Sequence, residues 1–412
     1  MHLGSGLELV RLLGWRWIVF RVWHAAKMKS GWFRLRTPCR PWEVCRRWQF
    51  RACRLPVCAA DAEVSIRDAD RVLGGETCYF FRHWVKSGFP PDWFADRLAL
   101  QGARLSAEAH PIVTQASRLS KDARTGKPSV SESHESNTGF QPVVEEEQDR
   151  NRQDACVTIA SGNRQDACGT KHWSEVSDFG NTDIKIIWEP SRFAFAFPLA
   201  RAYEAKKDEK YADGFWAAVE DWRDKNPPNC GPNWMCGQEI AIRMIAWLHG
   251  YGLLRHSQAT TEDRVLMLAQ MVAVSAERIE ANIGYALSQN NNHGISEAAG
   301  LFTAGVAVGV DKWMKKGRRL LESQARCLIY EDGSFSQHSV NYHCVMLDVY
   351  HWVLELGKRN GLSFSGELQR RVDLAEEWLA VMTDPISGQA PNLGCNDGAW
   401  VLPRTKYLEY RG

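Results

Sequence analysis

The chain has 412 residues, 44% hydrophobic and 24% charged, with a formal net charge of +2. It can therefore bury the core of one large domain or two ordinary ones, and nothing in its overall charge asks for a nucleic-acid partner. Its 12 cysteines are too dilute for a small disulfide scaffold, and none stands in a CxxC or at metal-ligand spacing with His, so free thiols are expected, with Cys230 and Cys236 the nearest suggestive pair, and no metal site.

The charge is uneven. Residues 1–57 carry twelve Lys and Arg against Glu8 and Glu43, interleaved with six tryptophans, Trp15, Trp17, Trp23 and Trp32 among them. Such a mixture suits either a basic amphipathic segment for a membrane surface or nucleic acid, or helices that pack their Trp faces on a body and keep Arg in water. The second reading is preferred. The apolar run "RLLGWRWIVFRVW" is interrupted by Arg11, Arg16 and Arg21 and is followed by no clear small-residue cleavage site. Neither a signal peptide nor a membrane-spanning helix is expected from it, and no stable membrane insertion.

Residues 1–104 form a Trp- and Arg-rich N-terminal part. Residues 105–170 change character: "SKDARTGKPSVSESHESNTG" and "VVEEEQDRNRQDAC" are polar, poor in aromatics and without helical or strand period. This predicts a disordered insertion. The hexapeptide NRQDAC occurs at 151 and again at 163, too close for a repeat architecture, so Cys156 and Cys168 carry no catalytic weight.

From residue 196 the pattern is helical and strand signals nearly vanish. "EKYADGFWAAVEDWRDK", "TEDRVLMLAQMVAVSAERIE", "KGRRLLESQARCLIY" and "GELQRRVDLAEEWLAVM" are amphipathic, and in the last Leu368, Val372, Ala375 and Leu379 step by four, three and four. Between them lie the more apolar "EIAIRMIAWLHGYGLL", "ISEAAGLFTAGVAVGV" and "HCVMLDVYHWVLEL". Helices apolar nearly all round belong inside and amphipathic ones outside. Residues 171–412 are thus expected to be all-α, with stacked helical hairpins in two layers.

Each inner segment follows a polar stretch, "NPPNCGPNWMCGQE", "SQNNNHG" and "EDGSFSQHSVNYH", and "PNLGCNDG" follows the last outer helix. Trp234, Asn292 and Tyr342 mark the first three at separations of 58 and 50 residues, about one hairpin each. The stretches should emerge at one end of the helical layers, where the asparagines share a cleft.

Together "DIKIIWEPSRFAFAFPLARAY", "NPPNCGPNWMCGQEIAIRMIAW", "QNNNHGISEAAGLF" and "DGSFSQHSVNYHCVMLDVY" resemble the helical domain of the heparinase II/III family of polysaccharide lyases, which includes related alginate lyases. The likeness covers roughly residues 171 to 400, and "GFPPDWF" at 88–94 is similar to the family's N-terminal part. It implies an incomplete (α/α) toroid followed by a β-sandwich, an acidic polysaccharide as partner, no cofactor, and cleavage beside a uronic acid by β-elimination. It also implies a periplasmic or extracellular setting, while the start of the chain shows no clear signal and leaves the compartment open. The chain stops at Gly412, so the β-sandwich is expected to be missing, in a fragment or a form of impaired activity.

β-Elimination removes the C5 proton beside a uronate carboxylate and expels the C4 oxygen. Amide and imidazole donors aimed at the carboxylate stabilise the enolate-like charge, as an oxyanion hole does. Asn292 and His293 match the family's Asn-His step, and Tyr342 matches its tyrosine, an acid, base or both once its pKa falls from about 10. Read singly, Asn292 is equally a helix cap, His293 a first-turn side chain and Tyr342 a half-buried aromatic.

Four further residues are candidate substrate contacts. Arg192 either binds a glycan acid group in bidentate fashion or pairs with Glu189. Trp234 either stacks on a sugar or wedges the start of its helix. Glu239 is i−4 to Arg243, which favours an ion pair between them. His338, four residues before Tyr342, either adds positive potential there or packs. Two other functions compete: a glycoside hydrolase with Glu239 and Asp332 as opposed carboxyls, and a non-catalytic acidic-glycan-binding remnant.

Overall fold

The computed structural model describes residues 14–57, 61–79, 83–94, 171–177, 183–386, 388–396 and 399–402. The expected insertion at 105–170, with both NRQDAC copies, lies outside the described residues, as does the chain before Gly14.

The N-terminal part supplies α1 (Trp15–Lys29), α2 (Trp32–Arg36), α3 (Ala62–Leu73) and a hairpin of β1 (Glu76–Tyr79) and β2 (His83–Lys86), antiparallel with Glu76 opposite Lys86. Its tryptophans divide into two sets. Trp17 donates to the Ser288 carbonyl at 2.7 Å, Trp42 to that of Arg223 at 2.8 Å, and Trp93 to Asp221 Oδ2 at 2.6 Å, so these rings are tied to the helical body. Trp15 and Trp23 instead stay 63% and 52% exposed. The expectation that the Trp faces pack inward holds for part of the set only.

The helical body comprises α4 (Lys185–Ser191), α5 (Ala196–Lys206), α6 (Glu209–Lys225), α7 (Gly237–Leu254), α8 (Glu262–Ser288), α9 (Asn292–Val308), α10 (Asp311–Leu328), α11 (Val340–Arg359) and α12 (Gly366–Met382). Side-chain caps begin three of the four outer helices: Asp208 accepts from Lys210 N before α6, Thr261 from Arg264 N before α8, and Ser365 from Leu368 N before α12. The periodic positions Leu368, Val372, Ala375 and Leu379 all face inward and are buried.

The layers follow from apolar content. In α9 every residue except His293 is buried, and α7 is buried continuously from Gly237 to Gly250. The inner helices α5, α7, α9 and α11 touch in that order, and α6, α8, α10 and α12 back them from outside. Consecutive hairpins thus stack into an incomplete (α/α) toroid, an all-α body apart from the small hairpin. One hydrophobic core runs through it and takes in Phe33, Trp42 and Trp93 from the N-terminal part. No described helix is long and apolar enough to cross a membrane.

Candidate active site

Inner helices that run parallel bring their N-termini to one end, so the polar stretches meet there. Asn292 opens α9 and is 1% exposed. A buried amide must be paired, and its partners come from the neighbouring hairpins. Asn292 Nδ2 donates to Gln238 Oε1 of α7 at 2.6 Å, and its backbone N donates to Gln337 Oε1, ahead of α11, at 2.9 Å. Gln238 Oε1 also accepts from Ser296 Oγ at 3.1 Å. Capping of α9 falls to Asn291, which accepts from His293 N at 3.0 Å. The cap role considered for Asn292 is therefore taken by its neighbour, and the Asn292 side chain is turned to the junction between helices.

His293, alone in α9, remains partly exposed, with Nδ1 3.8 Å from Cys236 Sγ at the start of α7. Burial pushes the Cys236 thiol up to about 12, reinforced by the negative charges of Glu239 and Glu297, so the pair is not a thiolate nucleophile and its base. Tyr342 lies half-buried in the first turn of α11, where its backbone N donates to the capping Ser339 Oγ at 3.2 Å. The fourth polar stretch closes on the same turn: Val340 N donates to Leu393 O at 3.0 Å and Asn341 Nδ2 to Ala399 O at 3.3 Å. The structure thus gathers all four stretches at one end.

The other candidates sit differently. Trp234 is fully buried, its ring 6.0 Å from that of Trp42 and 5.9 Å from that of Trp222. Its ring packs among these aromatics just ahead of α7, as the wedge reading expects. Arg192 is buried as well: Nε and Nη2 fork onto both Glu239 carboxylate oxygens at 2.6 and 2.9 Å, and Nη1 pairs with Glu189. The Glu189 pairing read from sequence is present, and the second partner is Glu239. The expected Glu239–Arg243 ion pair is not formed. Arg243 donates instead to the carbonyls of Asn233 at 2.9 Å and Ser191 at 3.4 Å, with its guanidinium 4.3 Å from the Trp222 ring, and burial lowers its pKa to about 9. The i, i+4 rule failed here because Arg192, which directly follows α4, supplies the better bidentate geometry. His338 is exposed, its ring 6.2 Å from that of Tyr330, and its carbonyl is closely approached by Gly394.

Gln238, Gln337 and Glu297 were not singled out from sequence. The two glutamines lie inside the quoted stretches, but nothing local distinguishes them as the residues that join one hairpin to the next. Glu297 lies one turn beyond His293 on α9 and is 5% exposed. Burial raises its carboxyl to about 8 against the opposing pull of Arg278. It lies so close to the first residue of α7 that a Cβ on Gly237 would stand 2.4 Å from its Cδ. A larger residue there would have to displace the Glu297 carboxyl.

Residues 126–387 match the family model described as Heparinase II/III N-terminus. A heparin-sulfate lyase of Bacteroides thetaiotaomicron is 26% identical over 181 residues, 42% of this chain and 25% of the relative. One of Pedobacter heparinus is 25% identical over 177 residues, 41% of this chain and 26% of the relative. The chain spans about a quarter of the length of the curated relatives it matches. Among solved structures, heparinase III aligns at 23% identity and a TM-score of 0.41 over 50% of this chain and 32% of that one. Alginate lyase A1-III from Sphingomonas species A1 aligns at 15% identity and a TM-score of 0.39 over 50% of this chain and 63% of that one.

Proposed function

The chain belongs to the heparinase II/III family, and on that premise we propose that it is a polysaccharide lyase that cleaves an acidic glycan beside a uronic acid by β-elimination. In this reading the uronate lies over the N-termini of α7, α9 and α11. The Asn292 amide and the His293 imidazole donate to its carboxylate and stabilise the charge that develops as C5 loses its proton. Tyr342 takes that proton or passes one to the departing C4 oxygen, and the electrons of the C5–H bond form the C4–C5 double bond as the C4–O bond breaks.

The observation that carries the proposal is the Asn292 junction. Its partners Gln238 and Gln337 come from the preceding and following hairpins, which fixes the amide in place before substrate arrives, and preorganised donors are what charge stabilisation requires. The hydrolase reading lacks its acid pair: Glu239 is neutralised in a buried fork with Arg192, while Asp332 is exposed and accepts from Ser334 N at 2.9 Å.

Incubation with heparan sulfate, alginate and a further uronate polysaccharide tests the reading. The account expects a product with an ultraviolet-absorbing unsaturated uronate end from at least one of them. A saturated new end carrying solvent oxygen overturns it in favour of hydrolysis, and binding without any shortening of the glycan overturns it in favour of a binding module.

A further inference from the structure

Far from Asn292, at the C-terminal ends of the inner helices, lies a cleft of about 730 Å³, within the range of about 300–1,000 Å³ typical of ligand sites. Its lining includes Phe50, Arg51, Arg54, Tyr251, Arg255 and Arg359. Gln238 and Arg255 stand at opposite ends of α7, roughly 25 Å apart at about 1.5 Å per residue. The two places are therefore distinct.

The cleft has a fixed wall. Arg51 N donates to Ala307 O at 2.7 Å, near the end of α9. Arg54 N donates to Asn360 Oδ1 at 2.9 Å, and Asn360 Nδ2 returns a bond to Arg54 O at 2.9 Å, just past α11. Leu55 is buried against Gly252, where an added Cβ would lie 3.2 Å from Leu55 Cβ. Phe50 stacks on Tyr251 with centroids 4.9 Å apart and planes at 21°. The backbone of this segment is thus pinned across the helix ends while the Arg51 and Arg54 side chains stay exposed.

Four guanidiniums line the cleft against one acidic lining residue, Glu262. Arg359 is paired with Glu355 at 2.6 Å, whereas Arg51, Arg54 and Arg255 form no ion pair among the described residues. Arg255 and Arg359 close helices and so offset the negative ends of two helix dipoles. Arg51 and Arg54 belong to no helix, so their charge is surplus to that role.

We infer that this cleft is a second glycan-binding site, in which Arg51, Arg54 and Arg255 hold a sulfate- or carboxylate-bearing stretch of the polysaccharide. The inference rests on the acidic-glycan reading proposed above. Guanidinium forks match the oxygens of such groups in bidentate fashion, and the Phe50–Tyr251 pair offers an apolar face to a sugar ring. A polymer held there raises its effective concentration at the Asn292 end of the molecule.

Calorimetric titration of the full chain with a heparin-derived tetrasaccharide, too short to span both places, tests the inference. In an Asn292→Ala background, which prevents turnover, Arg51→Ser with Arg54→Ser should remove one bound equivalent or weaken it at least tenfold. Arg51→Lys with Arg54→Lys should retain part of the binding, and the melting temperature should not move. Undiminished binding in the serine double variant, or no tetrasaccharide bound by its parent, overturns the inference. So does equally tight competition by a single-stranded oligodeoxynucleotide of similar length, which would mark a general polyanion surface. The unsaturated-product assay on the unmodified chain reads the lyase proposal independently of this stoichiometry.

Discussion

Asn292 and Gln238 join the first turns of two neighbouring inner helices through a single 2.6 Å hydrogen bond between buried side chains. In the proposed mechanism this bond orients the amide that meets the uronate carboxylate. Asn292→Asp keeps the size but turns the donor into an acceptor facing Gln238 Oε1 and places negative charge at the carboxylate. Turnover should therefore fall further with Asp than with Ala. Side-by-side rates of unsaturated-product formation check this, and an Asp variant as active as the wild type removes Asn292 from the chemistry.

Glu297 should make stability depend on pH. Burial pushes its carboxyl up to about 8 from the ordinary 4.5. Between those values the folded chain holds a proton that the unfolded chain has released, so stability falls as pH rises through the window and levels off above it. Glu297→Gln lacks this loss. Its advantage over the wild type should be absent below about pH 4.5 and grow to a few kcal/mol, in order of magnitude, by about pH 8. Parallel melting curves across the range would contradict the burial of an ionisable carboxyl.

Arg192 should be a residue of stability. Removing it as Arg192→Met leaves the Glu239 and Glu189 carboxylates buried without their partner, at a cost of about 3–5 kcal/mol. Restoring balance with Glu239→Gln should recover part of that loss. Denaturant midpoints for the single and double variants check the coupling. If Arg192→Met melts normally and only weakens glycan binding, the arginine is a substrate contact after all.

The sequence made the helical part of this architecture legible where periodicity was strong. The segments read as amphipathic at 209–225 and 366–382 coincide with α6 and α12, because one apolar stripe per helix leaves little freedom in where it ends. The layer order was legible too, since the all-round apolar composition of α7 and α9 excludes an outer position. Partner choice at the helix N-termini was not. Glu239 and Arg243 are four residues apart on one helix, yet Arg192, 47 residues before Glu239, takes the carboxylate. Trp234 stands in the same polar stretch as Gln238, but one turns into the core and the other to Asn292. Local spacing says which residues are near the turn, and only packing says which way each one faces. The exposure of Trp15 and Trp23 was hidden for the same reason, as composition cannot tell a buried tryptophan from an exposed one.

The most direct measurement is the rate of unsaturated-uronate formation by Tyr342→Phe beside the wild-type chain, with glycan affinity and melting temperature recorded on the same samples. A packing tyrosine that loses its hydroxyl gives up only about 1–2 kcal/mol of stability. A proton-transfer tyrosine loses on the order of a hundredfold or more in turnover. The account predicts that turnover collapses while affinity stays nearly unchanged and the melting temperature shifts little. Product formation by the Phe variant at near wild-type rate would contradict it and move the proton transfer to another residue.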